Sequence, residues 1–484
     1  MKLVLNKKTF ITLTLIFSFF TNLALPILIW AMPVSLIFLY LTLSLLFFKN
    51  YEDIIIFIKQ YITDRNSLFR PFMLFIFLIV ITSVFFIITG KVAIKYNIFP
   101  FVGGIIMQMF AGMFFAAYIS FKELIPKKIV KILYGMLYAI LIIGVFDFII
   151  CLFNITPLID AIQWFATDRM FMGDGEGSIE RSYVGNLARI ESVYVEPATF
   201  ACVISFFLPM IYTLTLSKFQ IFSNATVNNL VKKTIIPLTW FNLIFTQSPI
   251  YLVIGLLITF FYFHNYILKY IKELLVMFII TIIFFSLYIG ASGVDLSDTY
   301  LQRIFTVFET FGNFDLFVTR EASLATRIIN YYNTLCVWLQ HPIFGVGLGA
   351  LCDHMEKQTL YSNIPLTPEI IMNYGKAIRF SFNTGFFYKY IAETGIVGIT
   401  LIYYFILNIV NKLNKVAKQL PACLEKDFCK ALTCTLITFC ALSFYNIGYL
   451  SLYIWIIVGI SIGMYYRLTK NAIIKIKRNS RGEL

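Results

Sequence analysis

Apolar residues in this chain fall in long blocks, most of them about twenty residues long, the length that a bilayer core of roughly 30 Å demands of a helix. The blocks do not alternate polar and apolar positions, so they do not read as strands of a membrane barrel. They predict spans over 9–29, 31–48, 71–90, 101–121, 132–153, 195–217, 234–246, 249–263, 274–292, 384–410, 431–447 and 449–466. Three stretches, 9–48, 234–263 and 431–466, are each too long for one helix and just long enough for two short or tilted ones. Pro26 and Pro33 mark the turn of the first, Ser248 and Pro249 that of the second. With one tight pair re-entrant, ten or eleven spans fit the same pattern. The predicted class is an all-α integral membrane protein, one polytopic domain over 1–484 with about 12 transmembrane helices.

Two polar stretches between blocks are long, 154–192 and 293–383. In the second, Leu324, Ile328, Tyr331, Leu335 and Trp338 recur at helical spacing and predict an amphipathic helix over 322–340. His341-Pro342 ends it, and Gly345-Val346-Gly347-Leu348-Gly349 predicts a tight loop. Leu301, Ile304, Phe308 and Phe311 predict a similar helix over 299–311. Both helices are expected to rest on the outer membrane surface or on the bundle.

Composition agrees with the blocks: 60% of residues are hydrophobic and 13% charged, against about 25% charged in a soluble domain. The net charge of +14 raises nucleic acid as a partner. That reading fails, because the charge is spread over short loops between apolar blocks rather than gathered in one basic domain. Loops on the N-terminal side of the predicted membrane hold 27 Lys and Arg; the other side holds 11 in more loop residues. The positive-inside rule then puts both termini in the cytoplasm and both long loops on the non-cytoplasmic side. The partner that composition implies is the lipid bilayer. The apolar run after Lys7 and Lys8 continues to Phe48 with no small-residue cleavage site, so it reads as a signal anchor and first hairpin. Of eight cysteines, Cys151, Cys202, Cys429, Cys434 and Cys440 lie in or beside apolar blocks. Cys336 and Cys352 share an outer loop and are placed to pair, although the spacing fits no disulfide framework. Cysteines and the three histidines show no metal-ligand spacing; no metal and no cofactor is expected.

The kind of basic residue differs between the faces. Cytoplasmic loops hold 22 Lys and 5 Arg, whereas the long outer loops hold 7 Arg (Arg169, Arg181, Arg189, Arg303, Arg320, Arg327, Arg379) and 2 Lys (Lys357, Lys376). A guanidinium offers a planar fork that fits phosphate oxygens two at a time, as an enzyme acting on a lipid diphosphate needs at headgroup depth. The other reading is structural ion pairing with the 14 Asp and Glu of the outer loops. Glu196, just before Pro197 at a predicted helix start, is either an N-cap partner or a reactive group. Lys389 and Glu393, four apart near the outer end of a span, are either a functional pair or a self-satisfied i,i+4 ion pair.

At these residues the chain resembles the O-antigen polymerase and O-antigen ligase superfamily, and more closely its polymerase branch. The family's Arg, Ser and Glu-Pro stretch leading into a span is matched by Arg189, Ser192, Glu196 and Pro197. Its later Arg, helix and His-Pro-x-x-Gly-x-Gly run is matched by Arg327, His341, Pro342, Gly345 and Gly347. Its Asn followed by a Glu-x-Gly-x-x-Gly span is matched by Asn383, Glu393, Gly395 and Gly398. The Thr246-Gln247-Ser248 turn is also similar, and the resemblance covers roughly 180–410. It implies a metal-independent membrane glycosyltransferase that joins undecaprenyl-diphosphate-linked oligosaccharide repeat units into a surface polysaccharide, with a chain-length regulator and a flippase as partners. It also implies catalytic roles for Glu196, His341, Arg189 and Arg327, and substrate binding by Arg181, Arg303, Arg320, Arg379, Asn383 and Glu393. Ligases carry a His immediately before the Asn matched here to Asn383, where this chain has Phe382. That departure argues against a ligase and leaves the base of a polymerase unassigned, with Glu196 and His341 as candidates; His264 falls on the cytoplasmic side. A lipid-linked oligosaccharide flippase has a similar span count, but calls for charged residues lining the bundle centre, where Asp147 is the clearest one here.

Overall fold

A computed structural model describes residues 7–18, 24–27, 30–62, 67–89, 105–106, 108–153, 155, 183–184, 187–190, 192, 194, 197–269, 313–320, 322–361, 364, 366–367, 370–371, 385–445 and 452–480. Apolar runs in a bilayer must satisfy every backbone polar group internally, and helices do so within one segment. The described chain is accordingly helical, apart from two short antiparallel strand pairs. Proline sits in the first turn of several helices, at Pro71, Pro126, Pro197 and Pro249, where its missing N–H has no intrahelical partner to lose.

The first tight pair is α1 (Lys7–Phe17) and α2 (Val34–Phe57), joined through the hairpin β1 (Ala24–Ile27) and β2 (Trp30–Pro33). Pro26 and Pro33 therefore lie within paired strands rather than in a bare turn. Next come α3 (Arg70–Ile88), α4 (Ala111–Tyr118, running into a π turn to Glu123) and α5 (Pro126–Leu152). A two-residue hairpin, β3 (Tyr183–Val184) and β4 (Leu187–Ala188), precedes α6 (Pro197–Leu216). The second tight pair is α7 (Ala225–Phe245) and α8 (Pro249–Lys269), with the turn at Thr246–Ser248 as expected. The second long loop carries α9 (Phe314–Arg320), α10 (Ala322–Gln340) and α11 (Leu351–Tyr361); then follow α12 (Phe386–Gln419), α13 (Leu424–Leu442) and α14 (Leu452–Ser480). The helices expected over 274–292 and 299–311, and most of loop 154–192, fall outside the described residues.

Among the described residues, α3, α5, α6, α12 and α14 contain runs long and apolar enough to cross a membrane. The protein is therefore a helical membrane protein with a lipid bilayer around it. Helices α6 and α14 form the centre, each 78% buried over its apolar window, against 39% for α3. The outward face of α3 carries Phe77, Phe85 and Ile88, an exposed stripe that suits contact with lipid tails. On α14, Gly459 and Gly463 let the backbone come so close to α4 that an added Cβ would lie 2.3 and 2.4 Å from the carbonyls of Met113 and Ala117.

Lysine and arginine contacts lie toward the two ends of the bundle. At one end Lys7 and Asn50 both bind Glu123, at 2.6 and 2.7 Å, and Lys122 pairs with Asp53 at 2.6 Å. There too Arg467 donates to the Ser120 carbonyl, and Lys232 to the carbonyls of Ser217 and Phe219. The other end carries Arg189, Arg327 and His341.

The buried face of α10 differs from expectation. Thr326, Asn330, Asn333 and Thr334 are buried, together with Ala325, Ile329 and Val337, against α11. Ile328, in the predicted apolar stripe, is instead exposed, and Leu324, Tyr331, Leu335 and Trp338 are half-buried. Several of the polar side chains find partners inside: Asn333 donates to Thr359 at 2.9 Å, Thr334 to the Asn330 carbonyl, and Thr326 meets Thr367 at 2.5 Å. Cys336 and Cys352 form no disulfide, so the pairing option is not taken.

Candidate functional site

Arg189 lies between the β3–β4 hairpin and α6, on a stretch pinned to the turn between α7 and α8. Ile190 donates its N–H to the Phe245 carbonyl at 3.0 Å. The Arg189 Nε donates to the Thr246 carbonyl at 3.0 Å, and one terminal nitrogen donates to the Gln247 carbonyl at 3.4 Å and the Ser248 hydroxyl at 3.2 Å. The guanidinium thus caps the C-terminal carbonyls of α7, where the helix dipole favours a cation. Two non-glycine residues here take left-handed backbone, Ser192 at φ 54° and Gln247 at φ 50°. Such strain concentrates at functional sites.

Asp147, buried near the end of α5, accepts the Ser192 N–H at 3.1 Å, and the Ser192 hydroxyl donates to the Ile140 carbonyl at 3.1 Å. Asn242 of α7 donates to the Leu141 carbonyl at 2.9 Å, in space left by Gly144. One face of α5 therefore grips both the Arg189 stretch and the end of α7.

Arg327 projects from α10 and donates to the Tyr445 hydroxyl, with its guanidinium carbon 5.4 Å from the Tyr445 ring centroid. Tyr331 donates to the Tyr445 carbonyl and stacks on Tyr388 at 4.4 Å. Burial pushes the Tyr331 phenol above its ordinary value, Tyr445 adding to the rise and Arg327 opposing it. Tyr445 meets Tyr251 edge to face at 5.4 Å. Tyr251 lies in the first turn of α8, three residues past Ser248, which binds Arg189. A chain of contacts thus joins the two arginines: Arg189 to the 246–248 turn, through Tyr251 and Tyr445, to Arg327. Sequence reasoning missed the tyrosines, because nothing in spacing marks Tyr251 and Tyr445 as neighbours.

The glycine loop docks into a break in α12. Gly395 has φ 66°, ψ −172°, which interrupts the helix. The carbonyls of Ala392 and Glu393 accept from Val346 and Gly347, and the amides of Ile396 and Val397 donate to Pro342 and Ile343. The loop replaces hydrogen bonds that the break removes, which a membrane-embedded helix requires. Glu393, two residues before the break, is 1% exposed, and both the Lys389 charge one turn away and the Gly349 amide act on its buried carboxylate.

His341 caps the end of α10, its N–H on the Trp338 carbonyl at 2.9 Å and its carbonyl accepting Gly345 at 3.0 Å. Its ring meets His354 of α11 edge to face at 5.6 Å, a neighbour the sequence did not indicate. Arg320 ends α9 in an exposed position. Arg181, Glu196, Arg303, Arg379 and Asn383 lie outside the described residues. Among the described residues, no group of three or more His, Cys, Asp or Glu is gathered as a metal site. No family model and no curated protein sequence matches this chain.

Proposed function

We propose that this protein is a membrane glycosyltransferase that joins oligosaccharide repeat units carried on undecaprenyl diphosphate into a surface polysaccharide, at the periplasmic face of the bacterial inner membrane. The observation that carries the reading is the linkage of Arg189 and Arg327 through Tyr251 and Tyr445 at one end of the bundle. The loop charges support an orientation in which both termini are cytoplasmic and that end faces outside.

In the reaction, a sugar hydroxyl of one lipid-linked unit attacks the anomeric carbon of the other. A glycosidic bond forms and the bond from that carbon to the diphosphate oxygen breaks. Negative charge develops on the departing lipid diphosphate, where two guanidinium groups stabilise it without a metal. Held in place, the two units react as if at high effective concentration. The hydroxyl proton passes to a base, for which His341 and Glu196 are the candidates, or to water.

Deletion of the gene followed by a gel of the surface polysaccharide tests the reading. A single-repeat band in place of the ladder is the expected result. Free lipid-linked polymer would identify a ligase, and accumulation on the cytoplasmic face a flippase; either sinks the proposal.

A further inference from the structure

We propose that Asp147 is the positioning residue for the Arg189 stretch, acting through the Ser192 amide; this rests on the functional reading of Arg189. An aspartate in a membrane helix is costly, and one persists where it does something an apolar residue cannot. Asp147 sits 1% exposed near the outer end of α5 and accepts the Ser192 N–H at 3.1 Å across 45 residues of sequence. Ser192 is held at φ 54°, a conformation that a non-glycine residue abandons unless its surroundings enforce it. Asp147 and the Ile140 carbonyl, both on α5, are the groups that hold its amide and hydroxyl. Three residues upstream, Arg189 meets the 246–248 turn, where Gln247 is left-handed as well. The aspartate and the turn therefore grip a short strained segment from opposite sides, and together they set the direction in which the guanidinium enters the site. A helix cap alone would need no second clamp on Ser192.

What Asp147 supplies is an acceptor at a fixed place, which asparagine also supplies and leucine does not. In cells carrying each variant at equal membrane abundance, Asp147→Asn keeps at least half of the polymer ladder, and Asp147→Leu loses at least tenfold. An activity-independent readout accompanies it. A cysteine replacing Ser192 is labelled with a membrane-impermeant maleimide and followed on its own peptide by mass spectrometry. The leucine variant labels at least tenfold faster than the parent, and the asparagine variant does not. Ser192→Pro, which removes the donor N–H and forbids the left-handed φ, reproduces the loss of ladder with Asp147 intact, and serves if Asp147→Leu fails to accumulate. Unchanged labelling in Asp147→Leu, or an asparagine variant as poor as leucine, overturns the proposal. Faster labelling with a normal ladder overturns the role of Arg189 instead, leaving Asp147 as its clamp.

Discussion

Arg189 and Arg327 sit in different chemical settings at the same end of the bundle. Arg189 binds three acceptors of one turn through Nε and a terminal nitrogen, whereas Arg327 lies against the hydroxyl and ring of Tyr445. Lysine is a point charge and cannot reproduce a planar fork. Arg189→Lys is expected to cost about 1–2 kcal/mol of stability by losing part of that set, and both Arg→Lys variants to lose most of the polymer ladder at normal abundance. Full ladders in both would leave them as a helix cap and a tyrosine partner. A second pair of variants separates the candidate bases. At a helix start the dipole favours ionised Glu196, which weakens it as a proton acceptor and suits it to holding a guanidinium or a sugar hydroxyl. Glu196→Gln is therefore expected to reduce the ladder more than His341→Gln. A normal ladder in the first with none in the second reverses the order and makes the imidazole the base.

The break in α12 is decided by one residue and filled by another element. An added Cβ at Gly395 would lie 2.1 Å from the Ile343 carbonyl, on a backbone that L side chains rarely adopt. Gly395→Ala is expected to cost roughly 3 kcal/mol, combining left-handed strain with overpacking, read as a fall in melting temperature of the detergent-solubilised protein. Gly135→Ala on α5 is the control, since its Cβ would meet only the Phe222 ring at 3.8 Å. Equal melting for parent and Gly395→Ala would mean that the glycine loop is not docked there. The Gly345–Gly349 loop was legible in the sequence from its spacing, and the helix of 322–340 from its periodicity. The buried face of that helix was not, because Thr326, Asn333 and Thr334 find partners inside and hydrophobicity alone assigns them to solvent.

For the whole molecule, the distribution of basic residues between the loops makes a topological claim. Reporter fusions at Lys128, Lys415 and Arg478 are expected to be cytoplasmic, and those at Ser178 and Gln358 to be outside. A cytoplasmic signal at Ser178 would invert the orientation and take the proposed site with it. The close approach of α4 and α14 through Gly459 and Gly463 gives the bundle a firm centre.

Sequence alone determined the helical membrane class, the Thr246–Ser248 turn, the helix start at Pro197 and the run of arginines in the two long loops, because each is written in neighbouring residues. Helix length, proline position and loop charge act over one or two turns, so local pattern is enough to read them. Only the tertiary structure decided that Arg327 reaches Tyr445 across 118 residues and that Asp147 holds Ser192 across 45. It also decided that the glycine loop fills the α12 break. Those contacts join elements far apart in the chain, and their partners are chosen by packing, which no periodicity records.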